Sequence, residues 1–190
     1  MRKLEKMSGH RPRVHVEGAG RSRNWNPNIM RYRQHRRIHN RWKPNEIHHV
    51  YNPRAGSNYV YMTDGRGRVS RAEGRLVLNK GSRHRRQQQM AGTGVGRPGD
   101  HGGHLFGTRF GGAGEGINMV PMTGRLNSGG RWQAMEDQWE RELLAGNQVD
   151  VKIVPKYQGD GERPDWFKVT HTVTEPNGGS RTVTQVFANR

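Results

Sequence analysis

Hydrophobic and polar positions alternate along this chain with two different periods. From Arg131 to Leu144, Trp132, Met135, Trp139 and Leu143 recur at spacings of 3, 4 and 4, the stripe of one buried helix face. Ser128 stands where an N-cap would serve this helix, and Gly146 where its C-terminal stop would fall. Period two governs much of the rest. Residues 58–63 read as a strand, Asp64-Gly65 as a tight turn, 68–73 as the returning strand and 76–78 as a further short one. Val149, Val151 and Ile153 alternate with polar neighbours, as do Phe167, Val169, His171 and Val173; a Gly-rich turn at 175–179 then leads into a last strand over 181–187. His171 falls on the inward phase, which points to a structural role. Residues 93–103 read as irregular Gly-rich chain delivering His104. Strands on both sides of a central helix, without β-α-β alternation, predict an α+β fold with a mainly antiparallel sheet and one principal helix.

Composition narrows the chemistry. Apolar residues make up 30% of the 190 positions, against about 45–50% in ordinary globular domains. With 27 glycines and a mean hydropathy of −1.08, a small core with much loop is expected. The absence of cysteine excludes disulfides, thiolate zinc sites and cysteine nucleophiles. Any metal must be held by O and N ligands, which suits Mg²⁺, Mn²⁺ or Ca²⁺. No apolar run reaches membrane-span length, and Met1–Lys6 has no apolar stretch behind it, so no signal peptide is expected. Export would use another route or a longer parent chain.

The net charge of +17 is unevenly placed: residues 1–99 carry 23 of the 33 Lys/Arg but 5 of the 16 Asp/Glu, which leaves 100–190 near neutral. A basic half beside a neutral half suggests that one part grips phosphates while the other carries the chemistry. Residues 1–45, with 13 Lys/Arg and the aromatics Trp25, Tyr32 and Trp42, form a basic arm or linker. Residues 46–190 form the domain.

Cutting a phosphodiester needs a base for water and charge neutralisation at phosphate. His104 can serve as the base, and Gly102-Gly103 before it would let a phosphate backbone approach closely. Asn118 and Asn127 lead into the helix bearing Glu136. One neutral amide oxygen can hold a hard cation without cancelling its charge. The spacing imposes a condition. Nine residues on an unbroken helix turn through about 900°, setting Asn127 and Glu136 on opposite faces, so they converge only if Asn127 precedes the regular helix. Gly129-Gly130 is where such a break would sit.

The stretch Gly99-Asp-His-Gly-Gly-His-Leu-Phe-Gly-Thr-Arg-Phe-Gly-Gly112, with Ile117-Asn-Met-Val-Pro-Met122, Leu126-Asn127 and Trp132-Gln-Ala-Met-Glu136, resembles the DNA/RNA non-specific endonucleases. These are the ββα-metal (His-Me finger) nucleases with an Asp-Arg-Gly-His signature; the likeness is narrower to the bacterial branch found as C-terminal domains of polymorphic toxins. It runs from about Tyr59 to the final hairpin, outside residues 1–45. The resemblance implies a sugar-non-specific, Mg²⁺-dependent endonuclease (Mn²⁺ as an alternative) that leaves 5′-phosphates on DNA and RNA. His104 would be the general base, Asn127 the metal ligand, Glu136 the orienter of metal-bound water, and Asn118 and Asp100 supports of the site. It also implies an acidic immunity protein, and a bacterial protein delivered into target cells to act in their cytoplasm.

Here the signature is one residue longer, Asp100-His101-Gly102-Gly103-His104, and lacks the arginine. Arg109 is the first candidate for the missing cation and Arg86 the second; Arg86 and Arg97 are candidate substrate contacts. His101 is an alternative base, though its register to Leu105 favours His104. Two rival readings are a non-catalytic nucleic-acid-binding module and an HNH-type site at His48-His49. Deleting residues 1–45 is expected to weaken nucleic-acid affinity and flatten its dependence on salt more than it slows turnover. An unchanged salt slope would show that the arm does not contact phosphate.

Overall fold

A computed structural model of the protein describes residues 14–18, 42–53, 55–79, 96–114 and 116–190. Among the described residues, nine strands and two α-helices follow in chain order: β1 (Val14–Gly18), β2 (Ile47–Asn52), β3 (Ser57–Thr63), β4 (Val69–Arg75), β5 (Asp100–His104), β6 (Met119–Thr123), α1 (Gly124–Asn127), α2 (Arg131–Leu144), β7 (Gln148–Lys156), β8 (Trp166–Thr174) and β9 (Ser180–Ala188). Seven strands make one sheet in the order β1-β2-β3-β4-β7-β8-β9, antiparallel except for the β1–β2 pair. β1, from within residues 1–45, pairs with β2 at one edge of this sheet. β4 and β7 are neighbours in the sheet, and between them in sequence the described residues include a two-stranded β5–β6 ribbon and the two helices. That segment carries the ββα unit and the site. The fold is α+β, as the pattern predicts.

The helix stripe is core packing. Trp132 meets Phe167 and Phe187 edge-on at ring-centroid distances of 5.1 and 5.5 Å, and Trp139 meets Phe110 and His171 at 6.1 and 5.8 Å. On β3 the inward phase brings Tyr59 onto Phe106, stacked at 4.1 Å. Its hydroxyl donates to the Phe110 carbonyl at 2.5 Å, so burial raises the phenol's pKa while its contact ties the sheet to the segment after His104.

Several local expectations are corrected. Residues 100–103, within the 93–103 stretch read as irregular, belong to β5; glycines carry little strand preference, and the pairing with β6 is what holds them extended. Residues 76–78 lie beyond the end of β4 and form no strand. Ser128 ends α1, whereas the residue before α2 is Gly130, which has no side chain to cap with. Gly146 does stop α2: at φ 85° it donates to the Leu143 carbonyl while Asn147 donates to that of Glu142.

His171 is buried as its phase requires, 1% exposed beneath α2. Desolvation lowers its pKa from the ordinary 6.5 and outweighs the nearby Glu142 carboxylate, which raises it. The folded protein thus binds fewer protons here than the unfolded chain, so stability is full above pH 6.5 and falls as pH drops through and below it. Urea unfolding at about pH 7.5 and about pH 5.5 should show a smaller loss on acidification for His171→Leu than for wild type. An equal loss in both would contradict this assignment.

Candidate active site

The chain enters the site along β5. His104 is its last residue, half-buried, in register with Met119 of β6. Asn118 immediately precedes that partner, and it is fully buried. Its side-chain oxygen accepts from the Phe106 amide at 2.9 Å, while its Nδ2 donates to the Phe106 and Ala113 carbonyls, each at 2.8 Å. Its own carbonyl accepts from the Leu105 amide. One amide thus closes the loop that follows His104. A Cβ on Gly112 would lie 2.0 Å from the Phe106 carbonyl oxygen, so only glycine fits this closure.

That loop lies against α2. Gly107 approaches the helix so closely that a Cβ there would sit 2.5 Å from Glu136 Oε1. Arg109, two residues on, places Nη1 at 2.6 Å from Asp137 Oδ1 and 2.7 Å from Glu140 Oε2, with Nη2 at 3.9 Å from Glu136 Oε2. Partial burial opposes the Arg109 charge, but these carboxylates outweigh it and raise its pKa.

Asn127 ends α1, and the chain breaks before α2 begins. Gly129 takes φ 70°, and a Cβ on Gly130 would fall 1.9 Å from the Arg125 carbonyl oxygen. Gln133 reaches back to accept from the Gly129 amide at 2.8 Å, which holds the break closed. The turn through these residues meets the condition that the nine-residue spacing sets.

One cleft of about 560 Å³ results, and His104, Arg109, Asn127 and Glu136 all line it, with Asn79, Thr108, Gln133 and Glu140 among the other walls. Asn118 stands behind it as a clamp. Asp100 does not line the cleft: buried at the far end of β5, it receives Arg163 Nε at 2.6 Å and Nη2 at 3.0 Å, and the Arg97 amide at 2.7 Å. Burial pushes its carboxyl up, yet these donors together hold it below the ordinary range. Arg163, which nothing in the sequence reading singled out, is thus the anchor of β5. Arg97 is exposed and absent from the cleft walls; Arg86 lies outside the described residues. His101 does not line the cleft, and its Nδ1 lies 3.4 Å from Oγ of Ser128, which does. His48 is buried against Trp42 and Glu46, and neither it nor His49 lines the cleft. The Gly102-Gly103 pair does not serve phosphate approach: both are buried, and a Cβ on Gly103 would meet Met122 at 2.8 Å.

Among the described residues no three His, Asp or Glu side chains group around a metal position. A cation in this cleft would therefore rest on few protein ligands. The Asn127 amide oxygen and the Glu136 carboxylate, both on one wall system and both hard donors, fit a hydrated Mg²⁺ or Mn²⁺.

Residues 44–175 match the DNA/RNA non-specific endonuclease family, and the chain belongs to it. It is 30% identical over 137 residues to the type VII secretion system protein EssD of Staphylococcus aureus strain USA300, and equally to that of strain NCTC 8325 / PS 47. The matches cover 69% of this chain and 22% of those proteins, so the chain spans about a fifth of the relatives' length. Two solved structures, an extracellular nuclease and an extracellular endonuclease, are each 21% identical with TM-scores of 0.44 and 0.45. They cover 65% of this chain and 78% and 73% of their own.

Asn118→Ala strands the Phe106 amide and two carbonyls in the interior, each worth about 1–3 kcal/mol when unsatisfied. A Tm lowered by several degrees, with cleavage slowed more than affinity, is expected; an unchanged Tm would remove the clamp.

Proposed function

We propose that this cleft hydrolyses phosphodiester bonds of DNA and RNA without base specificity. The observation that carries the reading is the convergence of His104, Asn127 and Glu136, from the ribbon and two separate helices, on one cleft. His104 takes the proton from the attacking water, a task suited to an imidazole near neutral pH. Glu136 orients that water toward phosphorus. The new P–O bond forms as the bond to the 3′ oxygen breaks, and that oxygen leaves protonated by solvent, giving a 5′-phosphate and a 3′-hydroxyl. Asn127 would hold the divalent cation, which supplies charge neutralisation at the phosphate and the departing oxygen. Contacts to phosphates dominate in such a site and carry no base information.

The name of the matched relatives, a type VII secretion system protein, supports an exported role for this chain. We extend that to a toxin acting in the cytoplasm of a target cell, with an acidic immunity protein covering its basic surface in the producer. No helix among the described residues is long and apolar enough to cross a membrane.

Plasmid DNA and RNA incubated with the protein and Mg²⁺ should be cut, and EDTA should stop it. His104→Ala and Asn127→Ala should each lower the rate at least about 100-fold, while binding at low salt persists. Wild-type cleavage by His104→Ala would remove the assignment, and intact but retarded nucleic acid in every tube would mark a binding module instead.

A further inference from the structure

We propose that Arg109 is a positioning residue that holds Glu136 in the cleft, not the cation that faces the reacting phosphate; this rests on the nuclease reading above. The first ground is charge. A single guanidinium faces three carboxylates of α2, at 2.6 Å for Asp137, 2.7 Å for Glu140 and 3.9 Å for Glu136. The four groups together stay negative, so a phosphate approaching Arg109 would meet repulsion as well as attraction. An arginine answering the missing signature residue would need the opposite surroundings.

The second ground is the geometry of the contact. Asp137 and Glu140 both take Nη1, which leaves Nη2 turned toward Glu136. At 3.9 Å that approach is electrostatic and not a hydrogen bond. Arg109 draws the Glu136 carboxylate into place without itself occupying one of its lone pairs. Without Arg109, Glu140 would repel Glu136 and Asp137 four and three positions before it on the helix, and Glu136, only 13% exposed at its side chain, would gain most by swinging out to water.

The third ground is the origin of the arginine. It rides on the loop closed by Asn118, and its backbone carbonyl accepts from the Asn79 amide at 3.0 Å. The same loop offers Gly107 as the surface against which Glu136 rests. A seat and a countercharge on one rigid segment are what a carboxylate needs to keep one orientation.

A double-mutant cycle on the intact chain with plasmid DNA and Mg²⁺ tests this. Arg109→Gln is expected to lower kcat about tenfold to a hundredfold with KM changed little, and Arg109→Lys to recover part of the loss. In a Glu136→Gln background, Arg109→Gln should cost nothing further, because the residue through which it acts is already disabled. Asp137→Asn/Glu140→Gln should also lower kcat, since the guanidinium would lose its orientation. Losses that multiply in the Arg109/Glu136 double variant, or a faster Asp137→Asn/Glu140→Gln enzyme, would show that Arg109 meets the phosphate and would overturn the proposal. Should Arg109→Gln fail to fold by circular dichroism, Arg109→Lys and the Asp137/Glu140 variant decide alone. A wild type that cuts nothing with Mg²⁺ or Mn²⁺ would sink the nuclease reading itself, and this role with it.

Discussion

Asn127 and Glu136 can share a cleft only because the helix between them is broken, and every functional statement about this chain depends on that break. A continuous helix would send the two side chains to opposite faces. Three residues prevent it. Ser128 terminates α1, Gly129 turns through a left-handed conformation, and Gly130 fits where any side chain would strike the Arg125 carbonyl. Gln133 then fastens the turn from the helix side. The stability of the core is not at stake in these residues, because Trp132, Met135 and Trp139 anchor α2 independently. The break serves geometry alone.

A second closure, at Asn118, supports the opposite wall. It fixes the loop after His104, and that loop brings Gly107 and Arg109 to α2. The two walls differ in character from the chain as a whole. A strongly basic protein carries a cleft lined by Glu136 and Glu140 with Arg109 between carboxylates. On the proposed function, the acidic, amide-lined cleft would draw the hard cation, while the positive charge concentrated in residues 1–99 would draw the polyanion.

The sequence was most legible where periodicity coincides with burial. The α2 boundaries and the β7–β9 meander follow directly from apolar spacing. It was least legible in β5 and β6, where glycines in one strand and Pro121 in the other disguise a ribbon that exists through pairing and through Asn189, whose Nδ2 donates to the Pro121 carbonyl. His104, Asn127 and Glu136, which the motif singled out, line one cleft, while local spacing only permitted that convergence. The ion pairs were not identifiable: Arg163 lies 63 residues from Asp100, and Arg109 lies 28 from Asp137. Contacts between distant segments leave no local pattern.

The most direct measurement is paramagnetic broadening by Mn²⁺ of the isotope-labelled protein. If the cleft holds the cation, substoichiometric Mn²⁺ will broaden the Asn127 side-chain amide and the His104 ring signals first, before those of His48. Broadening that starts elsewhere, while the Asn127 amide stays sharp, would contradict the account.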